Sequence, residues 1–293
     1  AGLLVIDHAQ DGRLVAGGVL HEGAVAKQLK LRGMPAEAEE LAVARDIALA
    51  RLTGAHVHIA HITTARAVQM VRQARDEGVW VTAEATPHHM LLTDEDAIVS
   101  DAGGTPRFNN YAKVNPPLRS REDAAAVALA VKEGVVDAIA TDHAPHTQGD
   151  KSGTPGEAAF GISGFDTALA AALTASDVHG LSLSDVIRSL TAGPAEVLKQ
   201  ELLHPSLLPG LPANLVLLDP DSLWTVDASR FVSRGRNTPL EGRTLRGRVL
   251  LTVVEGCSAY VADSLREERM RGDGLGGGVV NVDEASADNP NVL

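Results

Sequence analysis

The sequence predicts an α/β fold in which short parallel strands alternate with helices, followed by a small β-rich appendage. Four short apolar runs are each followed by a stretch whose apolar residues recur at helical spacing. Aromatic residues make up only 3% of the chain, so the core must consist mainly of Ala, Val, Leu and Ile, which suits helices packed on parallel strands. Right-handed crossovers would join these strands and bring their carboxyl ends to one face.

The element boundaries follow from apolar spacing and from turn residues. A helix is expected from Pro35 to Gly54, and another after Ser120, which would be its N-cap with Asp123 three residues later. The predicted strands are residues 3–6, 56–60, 79–84 and 135–140, further helices are expected near 67–78, 167–175 and 184–190, and β-like runs lie at 215–218 and 248–254. We therefore predict a barrel-like unit over 1–205, the appendage over 206–263, and a flexible Gly- and Asp-rich tail over 264–293.

Composition limits the classes of function. The 293-residue chain carries a net charge of −12, which argues against nucleic acid or an anionic membrane as the main partner. The single cysteine, Cys257, excludes an internal disulfide framework and a multi-cysteine zinc site, and we expect it to be a buried thiol. No apolar run approaches the roughly 20 residues of a membrane span, and no signal-peptide pattern opens the chain. A cytoplasmic enzyme is the expectation.

The segment after the fourth predicted strand concentrates polar chemistry. Asp142, His143 and His146 follow an apolar run directly, and Pro145 stops further strand pairing. A carboxylate and imidazoles at the end of a buried strand suit a metal or proton-transfer site. The alternative is that Asp142 caps a helix and that both histidines are solvated.

Two more strand ends carry histidines. His8 and His61 each come just past a predicted strand, so that with Asp142 they would share one face and offer the neutral imidazole and carboxylate ligands that Zn²⁺ accepts. Taken singly, each could be a hydrogen-bonded surface residue. His56 and His58 also form a His-x-His pair, but they lie inside the second predicted strand, so we interpret them as structural.

Several blocks of sequence occur in the order found in one enzyme family. They are residues 8–11 (HAQD), 61–64 (HITT), 113–119 (KVNPPLR), 141–146 (TDHAPH), 160–165 (FGISGF) and 237–239 (NTP). Together they resemble bacterial dihydroorotases, which belong to the amidohydrolase superfamily of metal-dependent TIM barrels. The resemblance extends from the first residues to about Val261 and implies a (β/α)8 barrel with a small β-rich appendage.

The resemblance also implies roles for individual residues. His8 and His61 would bind one zinc ion of a binuclear pair, and Asp142 would bind the other and act as the acid/base. Asn115 and His146 would contact the substrate, and so would the backbone around Phe160 and Gly161. The implied reaction is the reversible hydrolysis of the cyclic amide of dihydroorotate to N-carbamoyl-aspartate in pyrimidine biosynthesis.

Two other readings stay open. Hydantoinases and allantoinases share the scaffold, although the Asn115 block and the spacing from Asp142 to His146 favour dihydroorotase. A catalytically silent subunit that supports aspartate transcarbamoylase is the other reading, yet the three proposed ligands are in place. A homodimer is also possible.

The sequence departs from the family pattern in several places. The family's first His-x-His pair with its following arginine, its metal-bridging acidic residue and a substrate-binding asparagine lie upstream of the first match, and this chain has none of them. Gln10 stands where the family usually has Glu, and His88 and His89 are expected in a loop or in support of the metal ligands. Because four parallel strands cannot close a barrel, we expect the chain to be the later half of one, with a longer natural polypeptide.

Overall fold

The computed structural model describes residues 3–101, 103–200 and 205–266, which form two compact units. The first unit consists of Ala1–His204 and Thr225–Leu245, and the second of Pro205–Trp224 and Arg246–Leu293. None of the helices in these described ranges is long and apolar enough to cross a membrane.

A parallel four-stranded sheet lies at the centre of the first unit. Its strands are β1 (Leu4–Asp7), β4 (His56–Ile59), β5 (Val81–Ala85) and β8 (Ala138–Ile139), in the spatial order β1-β4-β5-β8. All three pairings are parallel, with Leu4 opposite His56, Val57 opposite Val81 and Glu84 opposite Ala138. The parallel pairing confirms the predicted α/β class, and it brings the carboxyl ends of all four strands to one edge.

Helices connect these strands and cover the sheet. They are α1 (Ala24–Leu29), α2 (Glu37–Thr53), α3 (Ala65–Asp76), α4 (Pro87–Leu91), α5 (Arg121–Lys132), α6 (Ala168–His179), α7 (Leu183–Leu190) and α8 (Ala192–Leu198). Two predicted ends are confirmed. Gly54, in a left-handed conformation (φ 70°), ends α2, and the Ser120 hydroxyl accepts the Asp123 N–H at 3.1 Å to cap α5.

Two short pairs of strands lie in the connections between the main elements. They are β2 (Leu20–His21) with β3 (Gly33–Met34), which are parallel, and β6 (Ile98–Ser100) with β7 (Pro106–Phe108), which are antiparallel. The core between sheet and helices is built from small aliphatic side chains, as the composition predicts.

The fourth strand is shorter than predicted. We expected residues 135–140, but only Ala138 and Ile139 form strand β8. The N–H groups of Val135 and Val136 both donate to the carbonyl of Ala130 at the end of α5, at 2.9 and 3.0 Å. The apolar character of this run therefore reflects burial of a helix end as well as of a strand.

The second unit contains an antiparallel sheet with the strand order β11-β10-β9. These strands are β9 (Leu215–Thr225), β10 (Thr244–Val254) and β11 (Cys257–Val261). The expectation of a buried Cys257 thiol is wrong, because the residue is exposed at the start of edge strand β11, directly after the turn at Gly256.

The predicted extent of the appendage differs from these units. Residues 225–245, which we placed in the 206–263 appendage, group with the first unit. The physical reason is a set of hydrogen bonds from Asn237 to the segment after β8, including Asn237 Nδ2 to Ala144 O at 2.9 Å. Most of the predicted flexible tail, residues 267–293, lies outside the described residues.

Candidate functional site

His8 and His61 meet at the carboxyl edge of the sheet. His8 follows β1 and His61 follows β4, and these strands are parallel neighbours. The Ala60 N–H donates to Asp7 O at 3.0 Å, so the two chain segments stay paired up to the histidines. The imidazole centroids lie 4.5 Å apart with an interplanar angle of 77°. Two of the three predicted metal ligands are therefore in direct ring contact.

The environment of His61 keeps its ring neutral and leaves one nitrogen available. Burial lowers the pKa of His61, the neighbouring His8 lowers it further, and the Glu84 carboxylate acts in the opposite direction. His61 Nδ1 is buried and has no hydrogen-bond partner within the described part of the chain. Since a buried polar atom normally has a partner, this nitrogen suits a metal ion.

Asp142 follows β8 in a left-handed backbone conformation with φ 45°, which is unusual for a residue with a side chain. Burial raises the pKa of its carboxyl; among the charges that reach it, His8 lowers the pKa and Glu84 raises it. Asp142 follows β8, so it lies at the same edge of the parallel sheet as His8, which follows β1. Across the three described ranges, however, no three His, Cys, Asp or Glu side chains stand close enough together to hold a metal ion.

His56 and His58 are hydrogen-bonded inside β4. His56 Nε2 and His58 Nδ1 lie 2.9 and 2.8 Å from the Thr82 hydroxyl, and His58 Nε2 lies 3.2 Å from Glu84 Oε2. The His56 ring also stacks on Trp80 at 4.7 Å. These contacts agree with the structural interpretation of the His-x-His pair.

His88 and His89 lie in the short helix α4, so the expectation of a loop is wrong. The Thr86 hydroxyl accepts the His89 N–H at 3.1 Å and caps the helix, which is why Thr-Pro begins a helix here. His89 Nε2 donates to Pro116 O at 2.9 Å. Burial and, to a smaller extent, the His61 ring lower the pKa of His88 to about 3, so His88 is a neutral residue.

The segment that carries Phe160 and Gly161 packs directly against His146. His146 Nε2 donates to Phe160 O at 2.8 Å, which fixes the orientation of the imidazole. Gly161 has φ 137°, and a Cβ on it would lie 2.6 Å from the Ala144 Cβ and 3.0 Å from His146 Nε2. This position therefore requires glycine.

The backbone of Gly161 is already hydrogen-bonded within the protein. Its N–H donates to Lys113 O at 2.8 Å, and its carbonyl accepts from Asn237 Nδ2 at 3.1 Å and from Lys151 Nζ at 3.0 Å. A ligand at this segment would have to use other groups or replace one of these bonds. The bond to Lys113 also joins the segment to Asn115, whose Oδ1 is buried without a partner among the described atoms.

Sequence reasoning missed the residues that hold this segment together. Lys151 donates to Lys113 O at 3.2 Å and to Ala159 O at 2.8 Å, in addition to Gly161 O. Burial and, to a smaller extent, the charge of Lys113 lower the pKa of Lys151 to about 8. No local pattern marks a lysine whose partners are backbone carbonyls. Glu84, by contrast, ends a predicted strand and could have been found by the rule that identified Asp142.

Comparison with known proteins identifies the family. The sequence matches the amidohydrolase family over residues 10–258. It is 45% identical over 260 residues to a dihydroorotase of Syntrophus aciditrophicus, covering 89% of this chain and 59% of the relative. A dihydroorotase of Pelotomaculum thermopropionicum is 46% identical, with 87% of this chain and 58% of the relative covered. The chain thus spans less than two thirds of the length of these relatives.

Solved structures share the fold. A dihydropyrimidinase from Brevibacillus agri superposes with a TM-score of 0.75 at 22% identity, covering 89% of this chain and 57% of that one. An L-hydantoinase from Arthrobacter aurescens superposes with a TM-score of 0.74 at 26% identity and the same coverage, 89% and 57%. These likenesses confirm the predicted amidohydrolase type of TIM-barrel fold. The chain belongs to the amidohydrolase family.

Proposed function

We propose that the protein acts as a dihydroorotase and catalyses the reversible hydrolysis of dihydroorotate to N-carbamoyl-aspartate in the cytoplasm. The observation that carries the proposal is the similarity to curated dihydroorotases along most of this chain. The positions of His8, His61 and Asp142, each after the carboxyl end of a strand of one parallel sheet, support it, because these residue types suit metal-assisted hydrolysis.

The amidohydrolase family is generally metal-dependent, and we propose zinc, bound as a pair of ions, for this protein. The unpartnered Nδ1 of His61 and the adjacent His8 ring fit one metal ion, and the half-buried Asp142 carboxyl fits the second. A bound divalent ion would polarise the ring carbonyl and make water more acidic. The ligands present are a partial set, in keeping with the share of the relatives that this chain covers.

Asp142 would carry the proton in this reaction. It would accept a proton from the attacking water and return it to the nitrogen that leaves the opened ring. Because burial raises the pKa of Asp142, its proton affinity lies closer to that needed at neutral pH than that of an exposed aspartate.

His146, Asn115 and the Phe160–Gly161 segment would bind the substrate. Because Nε2 is committed to Phe160 O, Nδ1 is the His146 ring atom left to contact the substrate. The unpartnered Asn115 Oδ1 could accept a hydrogen bond from a ring N–H. These local groups would have to outweigh the negative net charge of the chain for an anionic substrate.

Turnover of three substrates tests the proposal. The chain would replace the matching part of the Syntrophus aciditrophicus relative, so that the assayed chimera has the full length of that enzyme. We expect hydrolysis of dihydroorotate in preference to dihydrouracil and allantoin. Activity on the latter two alone would contradict the proposal in favour of a hydantoinase or allantoinase, and a folded chimera that turns over none of the three would favour a silent scaffold.

Association is a separate expectation. The resemblance suggests a homodimer or a complex with aspartate transcarbamoylase. Sedimentation velocity of the chimera, alone and with the transcarbamoylase, measures both. A monomer under both conditions would remove these partners from the proposal.

A further inference from the structure

The turn between β4 and α3 carries His61 and is held by one buried carboxylate. Glu39 Oε1 accepts the backbone N–H groups of Thr63 at 2.8 Å and Thr64 at 3.1 Å. Glu39 Oε2 accepts the hydroxyl of Thr63. Thr63 and Thr64 are buried, so water cannot replace these bonds.

Arg119 pairs with Glu39 and completes the network. Its Nη2 lies 3.4 Å from Glu39 Oε2, and its Nε donates to the Thr63 hydroxyl at 3.0 Å. Arg119 Nη1 also donates to Met34 O at 3.1 Å. The Arg119 and Glu39 side chains are only 3% and 4% exposed, so each charge depends on the other for compensation. Chain segments 24 and 80 residues away from Glu39 thus meet at one carboxylate.

The backbone at His61 requires such support. Its φ of 36° places a residue with a Cβ in the left-handed region, which surrounding contacts must maintain. On one side the Ile62 N–H donates to Glu84 O at 2.8 Å, and on the other the Thr64 hydroxyl caps α3 by accepting the Ala67 N–H at 3.1 Å. Glu39 accepts the N–H groups of Thr63 and Thr64, which directly follow Ile62.

We propose that Glu39, together with Arg119, is the positioning unit that sets the metal affinity of His61 without touching the metal. The inference rests on the proposed function, because it takes His61 as a metal ligand. Outer partners that orient a ligand commonly change metal affinity by about 10- to 100-fold when they are altered. Glu39 acts one step further out, through the backbone that carries the imidazole.

Zinc titration of the whole chain, in competition with a chromogenic chelator, tests the proposal. We expect Glu39→Gln to weaken Zn²⁺ binding by about 10-fold or more, because the amide cannot serve both threonine N–H groups and Arg119. Thr63→Val should weaken binding in the same direction, and Thr63→Ser, which keeps the hydroxyl, should restore it. Two controls should stay within about two-fold of the wild type: Glu95→Gln, from the exposed Arg121–Glu95 pair, and Val43→Ala, a cavity variant on the same helix as Glu39.

Amide hydrogen exchange of the metal-free chain gives a second readout. Thr63 and Thr64 should exchange at least about 10-fold faster in Glu39→Gln, while β4 amides keep their protection. If Glu39→Gln does not fold, the Thr63→Val and Thr63→Ser pair decides the question.

Three results would overturn the inference. Wild-type zinc affinity in folded Glu39→Gln and Thr63→Val would remove the positioning role and leave the proposed metal site intact. An equal loss of affinity in Val43→Ala would reduce the effect to general destabilisation. A wild-type chain that binds no Zn²⁺ would overturn the proposed metal site and this inference together.

Discussion

The interior of β4 and the turn that follows it hold histidines of opposite character. His58 has both ring nitrogens within hydrogen-bond distance of a partner, the Thr82 hydroxyl at 2.8 Å and the Glu84 carboxylate at 3.2 Å. His61 comes three residues later and has a buried Nδ1 without a partner in the described structure. Both residues are buried, so burial does not distinguish them. What separates the structural histidine from the candidate ligand is whether both ring nitrogens have hydrogen-bond partners.

The hydrogen bonds inside β4 occupy both ring nitrogens of His58. The ionised Glu84 carboxylate can only accept, so His58 Nε2 donates to it. The Thr82 hydroxyl lies 2.8 Å from His58 Nδ1 and 2.9 Å from His56 Nε2, so it bridges the two rings. No lone pair of His58 is left for a metal. At the strand ends, by contrast, His61 keeps one nitrogen free.

The largest expected effect lies on the strand-end side, at Asp142. Asp142→Asn in the chimera should lower kcat for dihydroorotate by about 100-fold or more, because the proton acceptor and a ligand charge are both lost. The far-ultraviolet circular dichroism should stay unchanged. A kcat within a few-fold of the parent would remove Asp142 from the mechanism.

The next effect concerns metal binding at His61. His61→Asn should weaken Zn²⁺ binding by about 10- to 100-fold, measured by chelator competition. Its unfolding free energy should change little, because the substitution removes no hydrogen bond of Nδ1. Strong destabilisation without loss of zinc affinity would instead make His61 a structural residue and contradict its role as a ligand.

His58→Leu should behave in the opposite way. It removes the imidazole partner of the Glu84 carboxylate and one of the two imidazole contacts of the Thr82 hydroxyl, so we expect a loss of about 1–3 kcal/mol in unfolding free energy from urea denaturation. Zinc affinity should remain within a few-fold of wild type. A large loss of affinity would make the interior of β4 part of the metal site.

The smallest effect concerns Asp46, which lies on α2 close to the carboxyl end of β1. Burial and a hydrogen bond with Asp7 raise the pKa of Asp46 to about 6, against the lowering effect of Arg45. The folded state therefore binds more protons than the unfolded state between about pH 4 and pH 6, and stability falls as the pH rises through that range. Asp46→Asn should gain about 1 kcal/mol at pH 7 and much less at pH 4.

Urea unfolding of both proteins at the two pH values measures this difference. An equal gain at pH 4 and pH 7 would contradict the raised pKa. It would also show that ionisation of Asp46 does not destabilise the folded state at the end of β1.

Local sequence patterns predicted the elements and the strand-end residues, because those features depend on spacing within one segment. The position of His61 after β4 and the structural state of His56 and His58 are of this kind. The short β8 was not predicted, since an apolar run does not reveal whether its N–H groups bond to a helix end or to a strand. The exposure of Cys257 was not predicted either.

Contacts between distant segments were beyond sequence reasoning. The Glu39–Arg119 pair joins residues 80 positions apart, and Asn237 reaches Ala144 across 93 positions. A glutamate in the first turn of a helix usually lies at the surface, and nothing in the local sequence distinguishes Glu39 from Glu37 and Glu40 in the same turn.

Side-chain 15N NMR of the histidines during a Zn²⁺ titration tests the central claim most directly. The account predicts that the ring signals of His8 and His61 shift as zinc is added, while those of His56 and His58 keep their positions. Zinc-dependent shifts confined to His56 and His58, or none at any of the four rings, would contradict it.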